Sequence, residues 1–130
     1  MSKAELLVRT KTFGLRILNV VDHLPRTMSA RAIGRQLVRC GTSVGANYGA
    51  ACWSPSRADF AAKLGIVAEE ADETVYWLEV LRDVKLLPEG RISELLKEAN
   101  ELTAIFTAGR RSSSRNQTSN IKPQKSHISS

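Results

Sequence analysis

Histidine is nearly missing from this sequence: His23 and His127 are the only two. A helical bundle that holds a pair of metal ions wants inward glutamates with Glu-x-x-His pairs, and neither histidine stands in one. Cysteine is as scarce. Cys40 and Cys52 form no C-x-x-C pair and are too few for a disulfide framework in 130 residues, so they read as two small thiols in a reducing compartment. Aromatic side chains make up 5% of the chain, so any core is mostly aliphatic. No apolar run approaches the ~20 residues that span a bilayer. The opening residues, Met1-Ser2-Lys3-Ala4-Glu5, lack the basic region, apolar stretch and cleavage site of a secretory signal. No Ser-His-Asp or Cys-His set, Walker loop or dinucleotide fingerprint is present. These absences predict a cytoplasmic protein that is not an enzyme and takes no metal or cofactor.

What is present is charge, unevenly placed. The net charge is +6. Residues 1–57 carry nine Lys/Arg against two Asp/Glu, residues 58–109 five against eleven, and residues 110–130 five against none. Such asymmetry points to copies meeting positive face to negative face, or to a partner such as nucleic acid. The acidic cluster Glu69, Glu70, Asp72 and Glu73 has no nucleophile or histidine beside it and reads as a solvated or partner-facing side.

Apolar spacing predicts four helices and no strand. The first covers about residues 5–24, with Val8, Leu15, Leu18 and Val21 as its stripe, and stops at Pro25. The second covers 30–51, with a heptad seam of Ile33, Leu37, Cys40, Val44, Asn47 and Ala51. Ser56 and Asp59 form a capping pair for the third, over 56–87, whose seam runs Phe60, Leu64, Val67, Ala71, Thr74, Leu78 and Leu81. The fourth covers 89–108, with Ile92, Leu95, Ala99, Leu102 and Phe106. The expected fold is all-α: an antiparallel up-down four-helix bundle over residues 1–109. Residues 110–130 are polar, basic and serine-rich, and read as a disordered tail.

Several residues stand out from this pattern. Gly41, Gly45 and Gly49 share one side of the second helix. Each costs roughly 1 kcal/mol against alanine in a helix interior. Close approach of another backbone is the compensation the row suggests. Asn47, a polar residue on a seam, suggests fixed register or a local hydrogen bond. Arg31, Arg35 and Arg39 lie four apart on one face and, with Arg9, Lys11 and Arg16, suggest a basic patch. Phosphate contacts and salt bridges to the acidic third helix both remain open for them. Tyr76 and Trp77 are adjacent, so at most one belongs wholly to the core, and the other is a candidate interface anchor.

The stretch Gln36-Leu37-Val38-Arg39-Cys40-Gly41-Thr42-Ser43-Val44-Gly45-Ala46-Asn47-Tyr48, with Ser56-Arg57-Ala58-Asp59-Phe60 and the run over 69–79 that ends Tyr76-Trp77-Leu78-Glu79, resembles the bacterial four-helix-bundle family of proteins encoded by 23S rRNA intervening sequences. The resemblance covers roughly residues 8–108. It departs after Tyr48, where many members place a glutamate that Gly49-Ala50-Ala51 lacks. The resemblance implies a ring-shaped homopentamer. The family also includes accessory proteins of diversity-generating retroelements, which bind a reverse transcriptase and nucleic acid.

The expected function is a non-enzymatic homo-oligomeric module, with RNA, DNA, a ribonucleoprotein or a reverse transcriptase as partner and no role at a membrane. The expected contact residues are Arg31, Arg35 and Arg39 with the tail bases Arg110, Arg111, Arg115, Lys122 and Lys125. The alternative is a protein-binding scaffold without nucleic acid, whose basic half pairs with the acidic half of the neighbouring copy.

Overall fold

The computed structural model describes the backbone of residues 1–121 and the side chains of residues 1–114. Among these there are four helices and no strand: α1 (Lys3–Asp22), α2 (Met28–Ala51), α3 (Arg57–Asp83) and α4 (Glu89–Ile121). Their starts are set by short polar side chains. Ser2 Oγ accepts the Glu5 N–H at 3.1 Å, and Glu5 Oε1 accepts the Ser2 N–H at 2.8 Å, a reciprocal box that opens α1. Thr27 Oγ1 accepts the Ala30 N–H at 3.2 Å, and Ser56 Oγ the Asp59 N–H at 3.1 Å, as its sequence position predicts. Each such cap contributes about 1 kcal/mol. α3 stops before Pro88, at Asp83, because Lys85 takes a left-handed turn with φ 57° and returns its N–H to Arg82 O at 3.1 Å.

Each helix packs chiefly on its neighbours in sequence, and α1 closes more lightly on α4. The register is antiparallel throughout. Gly34 faces Val21 and Leu24, Gly14 faces Gly41 and Thr42, and Gly109 faces Leu64. Arg9, early in α1, pairs with Glu98 and Glu101, whereas Asn19, late in α1, accepts from Arg91 near the start of α4. The buried interior is aliphatic, with Ile17, Leu37, Val67, Leu78 and Leu102 sealed from solvent. Each contributes about 1.5–3 kcal/mol by burial. Tyr48 and Phe106 stack at 5.2 Å toward one end.

The α4 seam lies in the core as read from the sequence, and so does the α3 seam except for a half-buried Phe60. Three expectations need correcting. In α1 the buried side is Thr10, Phe13, Ile17 and Val20, whereas Val8 is 67% and Leu15 56% exposed. α1 carries more large apolar residues than one face can hide, so the stripe could be drawn on the wrong side. In α2 the seam passes from Val44 to Tyr48, and Asn47 is only half-buried. A straight helix with 3.6 residues per turn drifts off a 3.5-residue repeat within two heptads. Asn47 Nδ2 donates to Ser43 O at 2.9 Å, a local bond. In α4 the helix passes Gly109 and continues to Ile121, and just past Gly109 it still lies against α3: Arg110 Cδ would lie 3.3 Å from a Cβ on Gly65. Residues 122–130 lie outside those described.

Candidate interaction surfaces

The tightest junction is between α1 and α2. A Cβ on Gly45 would sit 3.3 Å from the backbone carbon and oxygen of Thr10 and 3.4 Å from Lys11 N. One on Gly41 would meet the Ile17 side chain at 2.9 Å. From the other side, a Cβ on Gly14 would lie 3.6 Å from Gly41 O and Thr42 Cα. The glycine row therefore exists to let α1 of the same chain lie close on α2, which offsets its poor helix propensity. Gly49 faces open space and takes no part. Thr10, buried in the junction, donates to Leu6 O at 2.8 Å, so its hydroxyl is satisfied within its own helix.

Because the two backbones are so close, long side chains cannot enter between them and instead flank the junction. Two clefts result. One, about 440 Å³, is bordered by Leu7, Leu15, Leu18, Lys11 and Ala46. The other, about 590 Å³, is bordered by Val21, Leu24, Val38, Arg31 and Arg35. Lys11, Arg31 and Arg35 make no ion pair among the described residues.

The remaining predicted cations are placed differently. Arg39 reaches across to α3, where it pairs with Glu70 at 3.4 Å and with Glu73. Of the two readings left open for it, the salt bridge holds. Trp77 Nε1 also donates to Glu73, at 3.3 Å, which places that ring half-buried while Tyr76 is 56% exposed. Arg9 does not join a basic patch: its guanidinium grips Glu98 through two bonds of 2.7 Å and Glu101 through one of 2.8 Å. Arg16 stands 3.9 Å from Glu94. Arg110 and Arg111 belong to α4, and the stem of Arg110 covers Gly65. Arg115 lies in α4 with its side chain outside those described, and Lys122 and Lys125 are outside the described residues altogether.

The outer face of α3 carries Ile66, Glu69, Asp72, Tyr76 and Glu79, all exposed. With Glu70 and Glu73 held by Arg39, the outward acids Glu69, Asp72 and Glu79 keep no ion-pair partner among the described residues.

Titration follows these contacts. Hydrogen bonds from Arg9 hold the Glu98 carboxyl below its ordinary range despite partial burial, and Glu98 in turn raises the Arg9 guanidinium. Burial pushes the Cys40 thiol up. Burial, with Cys52 alongside, pushes Tyr48 up to about 12. Among the described residues no three His, Cys, Asp or Glu side chains group as metal ligands. No helix there is long and apolar enough to cross a membrane.

The model of the 23S rRNA-intervening sequence protein family matches residues 3–108, which is the bundle up to the Gly109 contact. The chain belongs to that family. A protein of unknown function from the S23 ribosomal protein family of Bacteroides thetaiotaomicron VPI-5482, solved by crystallography, is 30% identical to it, with a TM-score of 0.78 over 85% of this chain and 99% of that one. Among curated proteins none matches. For this member of the 23S rRNA-intervening sequence proteins, sequence reasoning missed Leu7, Leu15 and Ile66 as surface residues. The surplus of apolar residues around α1 was the available signal. It also missed Trp53, which is 89% exposed in the α2–α3 turn and whose sequence context signals only a turn.

Proposed function

We propose that the chain is a non-catalytic interaction module that assembles with copies of itself into a closed ring, pentameric as the family resemblance implies, and works in the cytoplasm. One observation carries the reading: a bundle with a filled core still exposes Val8, Leu15, Ile66 and Tyr76. Exposed apolar side chains gathered in one place, as Leu7 and Leu15 are with the half-buried Leu18 along the cleft beside α2, mark surface that another protein covers. The family's name ties it to an intervening sequence of 23S rRNA, so RNA is the first anionic partner to try, free or within a ribonucleoprotein. Its contacts fall chiefly on the C-terminal bases Arg110, Arg111, Arg115, Lys122 and Lys125. They are electrostatic and sequence-insensitive, because a row of cations alone has no means of reading base edges. Arg31 and Arg35 add to them where a neighbouring copy leaves them open.

Sedimentation equilibrium of the full chain tests self-assembly. The expected mass is a multiple of 14.3 kDa, five for the pentamer. A single-chain mass at micromolar concentration overturns the reading. Fluorescence anisotropy with RNA over a salt series tests the partner. Binding is expected near 50 mM salt and weakens steeply as salt rises. The second reading, a scaffold without nucleic acid, is favoured by one observation: Arg39 is already taken by Glu70 and Glu73. Absence of RNA binding at about 50 mM salt would select it.

A further inference from the structure

We propose that the outer face of α3 of one copy lies in the α1–α2 groove of the next. This rests on the self-assembly reading above and assigns the surfaces that meet.

The charges left over are complementary. Along the α1–α2 junction Lys11 borders the smaller cleft, and Arg31 and Arg35 border the larger one, which Asp22 also lines; none of the three cations has an ion-pair partner among the described residues, and Glu69, Asp72 and Glu79 stand on α3 without a base. Arg39 divides the acidic cluster: it neutralises the inward pair and leaves the outward set for a partner.

The apolar groups match in spacing as well as in kind. Ile66 and Tyr76 are 43% and 56% exposed. By helical rise they stand about 15 Å apart along one ridge, with Glu69 and Asp72 between them. Leu7, Leu15 and Leu18 line the groove over about 16 Å. A docked helix presents its anchors along one face, and Ile66, Glu69, Asp72 and Tyr76, three or four residues apart in turn, share one face of α3.

The groove is shaped for a ridge. The glycines draw the two axes together, so its floor is backbone and small side chains. A nucleic acid would meet the cations but find no use for the leucines. The groove and the α3 face are different surfaces of one chain. Contact between them is therefore heterologous and passes from copy to copy, and its rotation decides whether it closes into a ring.

Sedimentation velocity on full-length protein tests the pairing. Two reversals are made, Lys11→Glu with Arg35→Glu in the groove, and Glu69→Lys with Asp72→Lys on α3. Each is expected to weaken association roughly a hundredfold or more, because like charges are brought face to face. All four substitutions in one chain restore the attraction and the assembly. Tyr76→Ala, which leaves the charges alone, also weakens it. Circular dichroism is expected to show unchanged helix content throughout, since every substituted position is exposed. If the wild type assembles and both reversals leave its mass unchanged, the pairing of faces is wrong while the self-assembly reading stands. A wild type of single-chain mass sinks both. Failure of the fourfold variant to reassemble also overturns the pairing. So does loss of RNA binding in the groove reversal at unchanged mass, which gives the groove to the nucleic acid.

Discussion

Arg9 shows how little a charged residue's role follows from its sequence position alone. It looks like one more base in a basic half, yet its Nε and Nη2 are turned along the α1–α4 seam onto Glu98 and Glu101 through three hydrogen bonds. The sequence holds thirteen acids and offers no rule for choosing among them, because the partner is 89 residues away. Both groups of the Arg9–Glu98 pair are well shielded, so Arg9→Ala is expected to cost about 1–3 kcal/mol in urea unfolding. The pH dependence gives a second check. Glu98 has a lowered pKa in the folded chain, so its contribution is present above the unfolded value of about 4.3 and is lost as pH falls through the lower folded value. Stability measured at about pH 7, 5 and 3 is therefore expected to fall less steeply for Arg9→Ala than for the wild type. Equal slopes would mean that Arg9 does not hold Glu98.

At the scale of the helix, the glycines of α2 separate into two kinds that the sequence writes identically. Gly41 and Gly45 face α1, whereas Gly49 faces open space. The row was legible as a packing device from its spacing, but its end was not, since that depends on where α1 stops crossing it. Gly45→Leu is expected to destabilise the bundle by about 1–3 kcal/mol net, because a branched side chain meets backbone that cannot move aside. Gly49→Ala is expected to stabilise by roughly 0.5–1 kcal/mol, since it gains helix propensity and meets nothing. Thermal melts of the two variants check this, and a raised melting temperature for Gly45→Leu would contradict the close approach. Seam assignments on α3 and α4 succeeded for a related reason. Those helices bury one stripe against two neighbours, and the residues read as seam face those neighbours, although Ile66 and Tyr76 of α3 lie off the stripe. α1 distributes its leucines and valines nearly all round, so periodicity could not choose a side.

For the whole molecule, the four-helix architecture was readable from apolar period, proline stops and capping residues, and the surfaces were not. Exposure of Trp53, Tyr76 and Leu15 depends on which helices are neighbours, which no local pattern encodes. The same holds for α4 just beyond Gly109, where α3 supplies a flank for Arg110 to lie on. Truncation after Gly109 removes that cover as well as the basic residues beyond it. It is expected to cost about 1 kcal/mol, a fall of roughly 4 °C in melting temperature. A melting temperature unchanged by truncation would show that Arg110 contributes nothing to the bundle. Because each helix lies chiefly on the one before it, order of synthesis and order of packing coincide. The glycine-lined α1–α2 hairpin has its full set of mutual contacts while α3 is still to be translated, and α3 and then α4 each arrive beside a finished surface. The polar ladder from Arg9 to Glu98 and from Arg91 to Asn19 waits for the last helix, as does the Tyr48–Phe106 contact. That ladder acts as the latch of a chain that can otherwise be completed as it leaves the ribosome.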